Sequence, residues 1–135
     1  MNRNKIFQRA AAIFMIIASL LFVTVVHAQI QTYEGVGEYF MTNETVEFAK
    51  EQAELEAQRN VLEQVCVYVR GQATMIDHEL DEDEIITISA GILYWKDVKF
   101  SCAEDSGGFL VKAHVTAEID TDEVKKLLDN AIKNR

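Results

Sequence analysis

The segment richest in metal-ligating side chains is an acidic run from Asp77 to Glu84. An EF-hand calcium loop would need glycine at its sixth position and glutamate at its twelfth, where this chain has Glu82 and Ile88. The sequence therefore favours a solvated loop without a cofactor, and binding of calcium or a transition metal is the alternative. The candidate ligands of that alternative fall at alternate positions, Asp77, Glu79, Asp81 and Asp83.

Catalytic motifs are missing from the sequence. Apart from His27, the histidines are His78 and His114, and neither belongs to a motif that pairs it with a nucleophile or a metal. There is no Gly-x-Ser-x-Gly, no His-Glu-x-x-His and no glycine-rich phosphate loop. We therefore expect a protein that is not an enzyme and has no catalytic residues.

Two adjacent aromatic residues, Tyr94 and Trp95, are the best candidates for binding a partner. Neighbouring side chains on a strand point to opposite faces, so one of the two must leave the core. We expect Trp95 on the open face of a sheet, where with His114 it would form a surface for a protein partner; the alternative is that the final helix covers Trp95. The sequence does not identify the partner, and a second copy of the chain is included among the options.

The first 28 residues have the pattern of a secretory signal peptide. Arg3, Lys5 and Arg9 precede an uncharged stretch over residues 10–26, and small residues precede a predicted cleavage between Ala28 and Gln29. This predicts a secreted or periplasmic protein. The alternative is an uncleaved membrane anchor, because 17 apolar residues reach the lower limit for a spanning helix.

Charge excludes some partners of the exported chain. Cleavage would remove three of the 13 basic residues and leave 10 against 22 acidic ones, which changes the net charge from −9 to −12. Phosphate backbones and anionic lipid surfaces would repel such a protein, so no nucleic-acid partner is expected. A lipid anchor is not expected either, since the first cysteine is Cys66, far from the predicted new N-terminus.

Cys66 and Cys102 are the only cysteines, and export would place them in an oxidising compartment. Cys66 continues an apolar helix stripe that includes Leu62 and Val69, and Cys102 shares a predicted strand face with Phe100. Both would then point into one core, which predicts a disulfide. The alternative is two buried free thiols.

Hydrophobic periodicity predicts a single two-layer α+β domain over residues 29–135, with a small antiparallel sheet packed by one long helix, a short helix and a C-terminal helix. Residues 32–41 form the first strand, in which Gly35 and Gly37 would let a helix approach closely. That helix spans residues 43–70, with Asn43 or Thr42 as N-cap and Gly71 just beyond its end. The remaining predicted elements are a short helix at 83–90, strands at 92–102 and 109–119 joined by a hairpin at 104–108, and a helix at 122–132 capped by Thr121 or Asp120.

Face assignments in the two later strands follow from alternation. The last strand points Ala113, Val115 and Ala117 inward and Lys112 and His114 outward. In the strand before it, Ile92, Tyr94, Val98, Phe100 and Cys102 would share one face, and Lys96 is the misfit. A bulge or an edge position would explain Lys96.

These segments resemble the Lpp-twenty lipoprotein family and the N-terminal domain of the flagellar assembly T protein. The resemblance covers about residues 33–128. It is carried by Glu34-Gly35-Val36-Gly37, by Ala57-Gln58-Arg59-Asn60-Val61-Leu62-Glu63-Gln64-Val65, by Ile88-Ser89-Ala90-Gly91-Ile92, and by the Gly-Gly turn followed by residues 110–119. It implies a small α+β domain of the cell envelope that binds or assembles rather than catalyses. The chain departs from the lipoproteins in lacking the lipid-bearing cysteine and from the flagellar protein in lacking its further domains.

Overall fold

A layer of helices lies on one face of a three-stranded antiparallel sheet in residues 29–134, the part of the chain that the computed structural model describes. This confirms the predicted α+β class. The predicted signal peptide at 1–28, with Ala28 of its cleavage site, lies outside the described residues. The elements in chain order are β1 (Ile30–Met41), α1 (Val46–Met75), α2 (Glu82–Gly91), β2 (Tyr94–Asp105), β3 (Gly108–Asp120) and α3 (Thr121–Lys133).

The strands are ordered β1-β3-β2, so β3 is central and the other two strands form the edges. A two-residue turn joins β2 to β3, and both of its residues have positive φ, 44° at Ser106 and 89° at Gly107. Such a turn matches the twist of the strands that it connects. The predicted hairpin and the alternation along β3 are confirmed, since Val111, Ala113, Val115, Ala117 and Ile119 are buried.

Helix α1 packs against β1 and β3 at very short range. Its contact stripe consists of fully buried alanines, Ala49, Ala53 and Ala57. A Cβ atom on Gly35 or Gly37 would collide with the carbonyl oxygens of Ala57 and Ala53 respectively. The predicted role of the two glycines, to admit a helix closely, is therefore confirmed.

The predicted ends of the long helix were wrong at both termini. The N-cap is Thr45, whose Oγ1 accepts a hydrogen bond from Phe48 N at 3.2 Å, and neither Asn43 nor Thr42. The helix then continues through Gly71 to Met75. Ala73 is buried in the same cluster as Val69 and Ile85, so burial of this last turn against α2 outweighs the low helix propensity of Gly71.

The core consists of two clusters at opposite ends of the layer interface. One joins α1 to α2 and α3 and contains Val61, Val65, Cys66, Val69, Ile85, Ile92, Ala117, Ile119, Val124 and Leu128. The other lies near the start of α1 and contains Met41, Ala49, Ala53, Ala57, Val111, Ala113 and Val115. Helix α3 begins at Thr121, and Asp120, one of the two predicted caps, is its N-cap and accepts from Asp122 N at 2.9 Å.

Candidate binding surface

Strand β2 is an edge strand that the helix layer leaves uncovered. Within residues 29–134, β3 is the only element that packs extensively against it, because α1 lies over β1 and β3. Every β2 residue except Val98 is exposed. Apart from Val98, which packs against the core cluster near the start of α1, the apolar side chains on the helix side of β2 therefore face solvent.

A β-bulge at Lys96 determines which side chains of β2 lie on the helix side. The register shifts between Trp95, which lies opposite Ala117, and Asp97, which lies opposite Thr116. Since Ala117 is buried beneath the helices, Trp95 also lies on the helix side. The bulge and edge position predicted from Lys96 are confirmed, but the prediction that Trp95 lies on the open face was wrong, because the extra residue reverses the alternation.

Tyr94 takes the opposite face from the one predicted. It lies opposite Glu118, on the side of the sheet away from the helices. Its hydroxyl donates a hydrogen bond to Glu123 Oε2 at 2.9 Å. This bond to a carboxylate raises the pKa of Tyr94. The hydrogen bond links β2 to the first turn of α3, so Tyr94 has a structural partner.

The helix side of β2 and the flank of α1 together form an open apolar groove, which we call the α1–β2 groove. Its members are Leu55 and Leu62 from α1, Leu93, and Trp95, Val98 and Phe100 from β2. Near Trp95 it deepens into a cavity of about 300 Å³, with Gln58 and Arg59 at its rim. Leu55 is 50% exposed, Trp95 45% and Phe100 40%.

Positive charge borders this groove in a chain that is acidic overall. Lys50 Nζ lies 5.5 Å from the centre of the Phe100 ring, at cation–π distance. Arg59 lines the cavity near Trp95 and forms an exposed ion pair with Glu56 at 3.3 Å. The groove therefore combines aromatic side chains with cationic ones. Aromatic residues and arginine, here Trp95, Phe100 and Arg59, are residue types enriched at protein–protein interfaces.

His114 is exposed on the other face of the sheet, as predicted. Its neighbours in register are Val36 on β1 and Lys99 on β2. Trp95 and His114 thus lie on opposite faces, and the single partner surface predicted from them does not form. The bulge again is the reason, because it moves Trp95 to the helix side.

The predicted disulfide between Cys66 and Cys102 is not supported, because both cysteines are unpaired. Cys66 is buried in the cluster that includes Ala117, whereas Cys102 is exposed and lies opposite Val111. Val111 and Ala117 are separated along β3 by a distance of roughly 20 Å at the rise of a strand. A disulfide needs Cα atoms within about 7 Å, so the two thiols lie too far apart.

The acidic run forms helix caps, and its carboxylates do not gather around one point. Asp81 caps α2 by accepting from Glu84 N at 2.8 Å, and the Glu84 carboxylate accepts from Asp81 N at 3.0 Å. Asp77 adopts a left-handed backbone conformation, with φ of 55°. Nowhere in the described part of the chain do three His, Cys, Asp or Glu side chains converge as metal ligands would, so the geometry does not support the metal alternative built on Asp77, Glu79, Asp81 and Asp83.

Sequence reasoning missed most of the groove. Phe100 was predicted to face the core, yet it is 40% exposed, and Leu55 on α1 is 50% exposed. A signal for this existed in the apolar band of α1. Beside the alanine stripe that contacts the sheet, a second stripe runs through Phe48, Leu55 and Leu62, and one helix face packed on two strands cannot bury both.

No protein-family model matches this chain, and no curated protein sequence is significantly similar to it. The resemblance to the Lpp-twenty family and to the flagellar assembly domain therefore stays a prediction. Among residues 29–134, no helix has the length and apolar character needed to cross a membrane. What the fold defines is a class, a small α+β domain with one helical layer on a three-stranded sheet.

Proposed function

We propose that this protein is a non-catalytic binding module of the cell envelope that holds a protein partner in the α1–β2 groove. The observation that carries the proposal is the exposure of Trp95 and Phe100 on a strand that no helix of residues 29–134 covers. Burying an aromatic side chain of this size is worth about 1.5–3 kcal/mol. A folded domain that leaves two of them exposed along one groove offers an anchor site to a partner.

The chemistry of the groove favours a partner with apolar side chains flanked by acidic ones. Lys50 and Arg59 border the apolar floor and would meet those acids. The free edge of β2 adds backbone N–H and C=O groups, which an extended segment can pair with. Protein rather than nucleic acid fits this combination, because the chain carries 22 acidic residues.

The envelope location rests on the sequence. The signal-peptide pattern over residues 1–28 favours export, and the resemblance to envelope lipoproteins and a flagellar assembly domain agrees with it. The resemblance also supports binding or assembly over catalysis. The partner is therefore expected outside the cytoplasm.

A photo-crosslinking amino acid placed at position 100 in the producing cell tests this proposal. We expect a covalent adduct with a protein that is itself located outside the cytoplasm. The matched control is position 40, since Phe40 is 43% exposed, close to Phe100 at 40%, but lies on the opposite face of the sheet at the other edge. Equal adducts at both positions, or none at position 100, would refute the groove as the binding surface.

A further inference from the structure

The two edges of the sheet differ in how their backbone groups are occupied. On β1, the side chains of Asn60 and Gln64 from α1 donate to the carbonyl oxygens of Val36 and Glu34, at 2.6 and 2.9 Å. Helix α1 thus occupies two backbone acceptors near the middle of that edge and hinders pairing with another strand there. Strand β2 has no such cover from any helix in residues 29–134. An uncovered edge strand with apolar side chains is a template for strand pairing.

We infer that β2 pairs with β2 of a second copy of this chain, antiparallel and about a two-fold axis at Phe100. This inference rests on the proposed function and names its partner. The resulting sheet would be continuous across both copies, with six strands in the order β1-β3-β2-β2-β3-β1. A two-fold interface requires one surface to be complementary to itself, and the charges and side chains of β2 meet that requirement.

The charges of β2 are separated along the strand. Its first half contains Lys96, Asp97 and Lys99 and carries one net positive charge, while Glu104 and Asp105 place two negative charges at its end. An antiparallel pair of identical strands places the first half of one against the second half of the other. Basic residues then lie near acidic ones, and opposite charges across strands are favourable.

The register follows from which residues would lie directly opposite each other. An axis at Phe100 sets the two Phe100 rings together, Val98 against Cys102, Lys99 against Ser101 and Asp97 against Ala103. No like charges are opposed, and the apolar row on the helix side is continuous. An axis at Ser101 would oppose Asp97 to Asp105, and one at Lys99 would oppose two lysines, which is unfavourable.

An axis at Cys102 fits less well, because it would oppose Phe100 to Glu104 on the helix side. Moving the two-fold axis by one residue changes every cross-strand pair. The side chains of β2 therefore specify the residue at which the axis lies. The apolar match at Phe100 therefore selects one register among the neighbouring ones.

Pairing of β2 would also complete the groove. Strands are spaced about 4.8 Å apart, so the two copies of α1 would lie on one face of the joint sheet, roughly 19 Å from axis to axis. Helices with side chains are about 10–12 Å wide, which leaves a gap of about one layer of side chains. Leu55, Trp95 and Phe100 of both copies lie where they would fill that gap.

Sedimentation velocity of the purified mature protein tests the inference. We expect twice the mass of one chain across the micromolar range, and Phe100→Lys should weaken association at least about tenfold by placing two lysines on the axis. Phe40→Lys is the matched control and should leave the dimer intact. Circular dichroism of each variant verifies the fold. A wild-type monomer, or a dimer that survives Phe100→Lys in a folded protein, would overturn the inference.

Cysteine cross-linking tests the register independently. In Val98→Cys, the new thiol should lie opposite Cys102 of the second copy and give a covalent dimer on a non-reducing gel. Wild-type protein should not cross-link, and neither should Val98→Cys combined with Cys102→Ser. Ready cross-linking of the wild type through Cys102 would place the axis at Cys102 and overturn the register proposed here.

The experiments separate failure of this inference from failure of the proposed function. If the purified protein is monomeric while position 100 forms an adduct with a different envelope protein, the second copy is excluded and the binding function stands. If position 100 forms no adduct with any protein, its own copy included, both proposals fail.

Discussion

At the scale of single residues, two kinds of glycine position have opposite consequences for stability. Gly37 lies beneath α1, where a side chain would meet the backbone of Ala53 and Ala57. Gly71 lies within the exposed surface of α1, where an added Cβ would meet nothing within 4 Å. Both residues are glycine, yet only the first is required by the packing.

We predict that Gly37→Ala lowers the free energy of unfolding by about 1–3 kcal/mol, the usual cost of overpacking, because the backbone of α1 must move. Gly71→Ala should raise it by about 0.5–1 kcal/mol through better helix propensity. Guanidinium unfolding followed by circular dichroism measures both. Unchanged stability of Gly37→Ala would contradict the close approach of α1 to β1, and a loss in Gly71→Ala would contradict a helix that continues past residue 71.

At the scale of elements, the acidic run shows how the same carboxylates can suggest a metal site in sequence and form a cap in the fold. The Asp81 side chain satisfies a backbone N–H in the first turn of α2, and Glu84 completes the reciprocal capping box. The acids of this turn, Glu82, Asp83 and Glu84, also lie near the positive end of the helix dipole. The clustering of these acids is therefore explained by the capping and the dipole of the first turn of α2.

Asp81→Ala is expected to destabilise the protein by about 1 kcal/mol, the typical cost of losing an N-cap side chain. The control is Asp83→Ala, which keeps the cap and loses only a dipole interaction of about 0.3–1 kcal/mol. Thermal unfolding with and without calcium measures the difference. A calcium-dependent rise in the melting temperature that Asp81→Ala abolishes would instead support the metal alternative.

At the scale of the whole molecule, the two cysteines are unbonded because they lie at opposite ends of the interface between the helices and the sheet. The two core clusters lie at opposite ends of β3, and Cys66 and Cys102 belong to opposite ends as well. The stability of the monomer therefore does not depend on a bond between them. The exposed Cys102 instead lies on the strand that we propose as the dimer interface.

In the Phe100→Lys variant, which is expected to be monomeric, native thiol labelling should modify the exposed Cys102 first and leave Cys66 protected until the domain unfolds, since Cys66 is 9% exposed. Reductant should not change the melting temperature. Cys102→Ser should remove the fast-reacting thiol and Cys66→Ser should not. Two protected thiols in non-reduced protein, together with a melting temperature that falls on reduction, would restore the disulfide hypothesis.

The sequence by itself determined the class of fold, the order of the elements and the faces of β1 and β3. These follow from local periodicity, because each residue's side-chain direction is fixed relative to its own helix or strand. The glycines of β1, the alanine stripe of α1 and the bulge at Lys96 were all visible in that pattern. The hairpin turn was visible too, since Ser106 and Gly107 suit its backbone.

Only the tertiary structure decided which inward-facing residues are covered. Periodicity places Phe100 and Cys102 on the helix side of their strand, but it carries no information on whether a helix lies above them. That depends on the lateral position of α1 over β1 and β3, which the close contacts at Gly35 and Gly37 set. The α1–β2 groove exists because α1 packs closely against Gly35 and Gly37 of β1, and a single helix in that position cannot also cover β2.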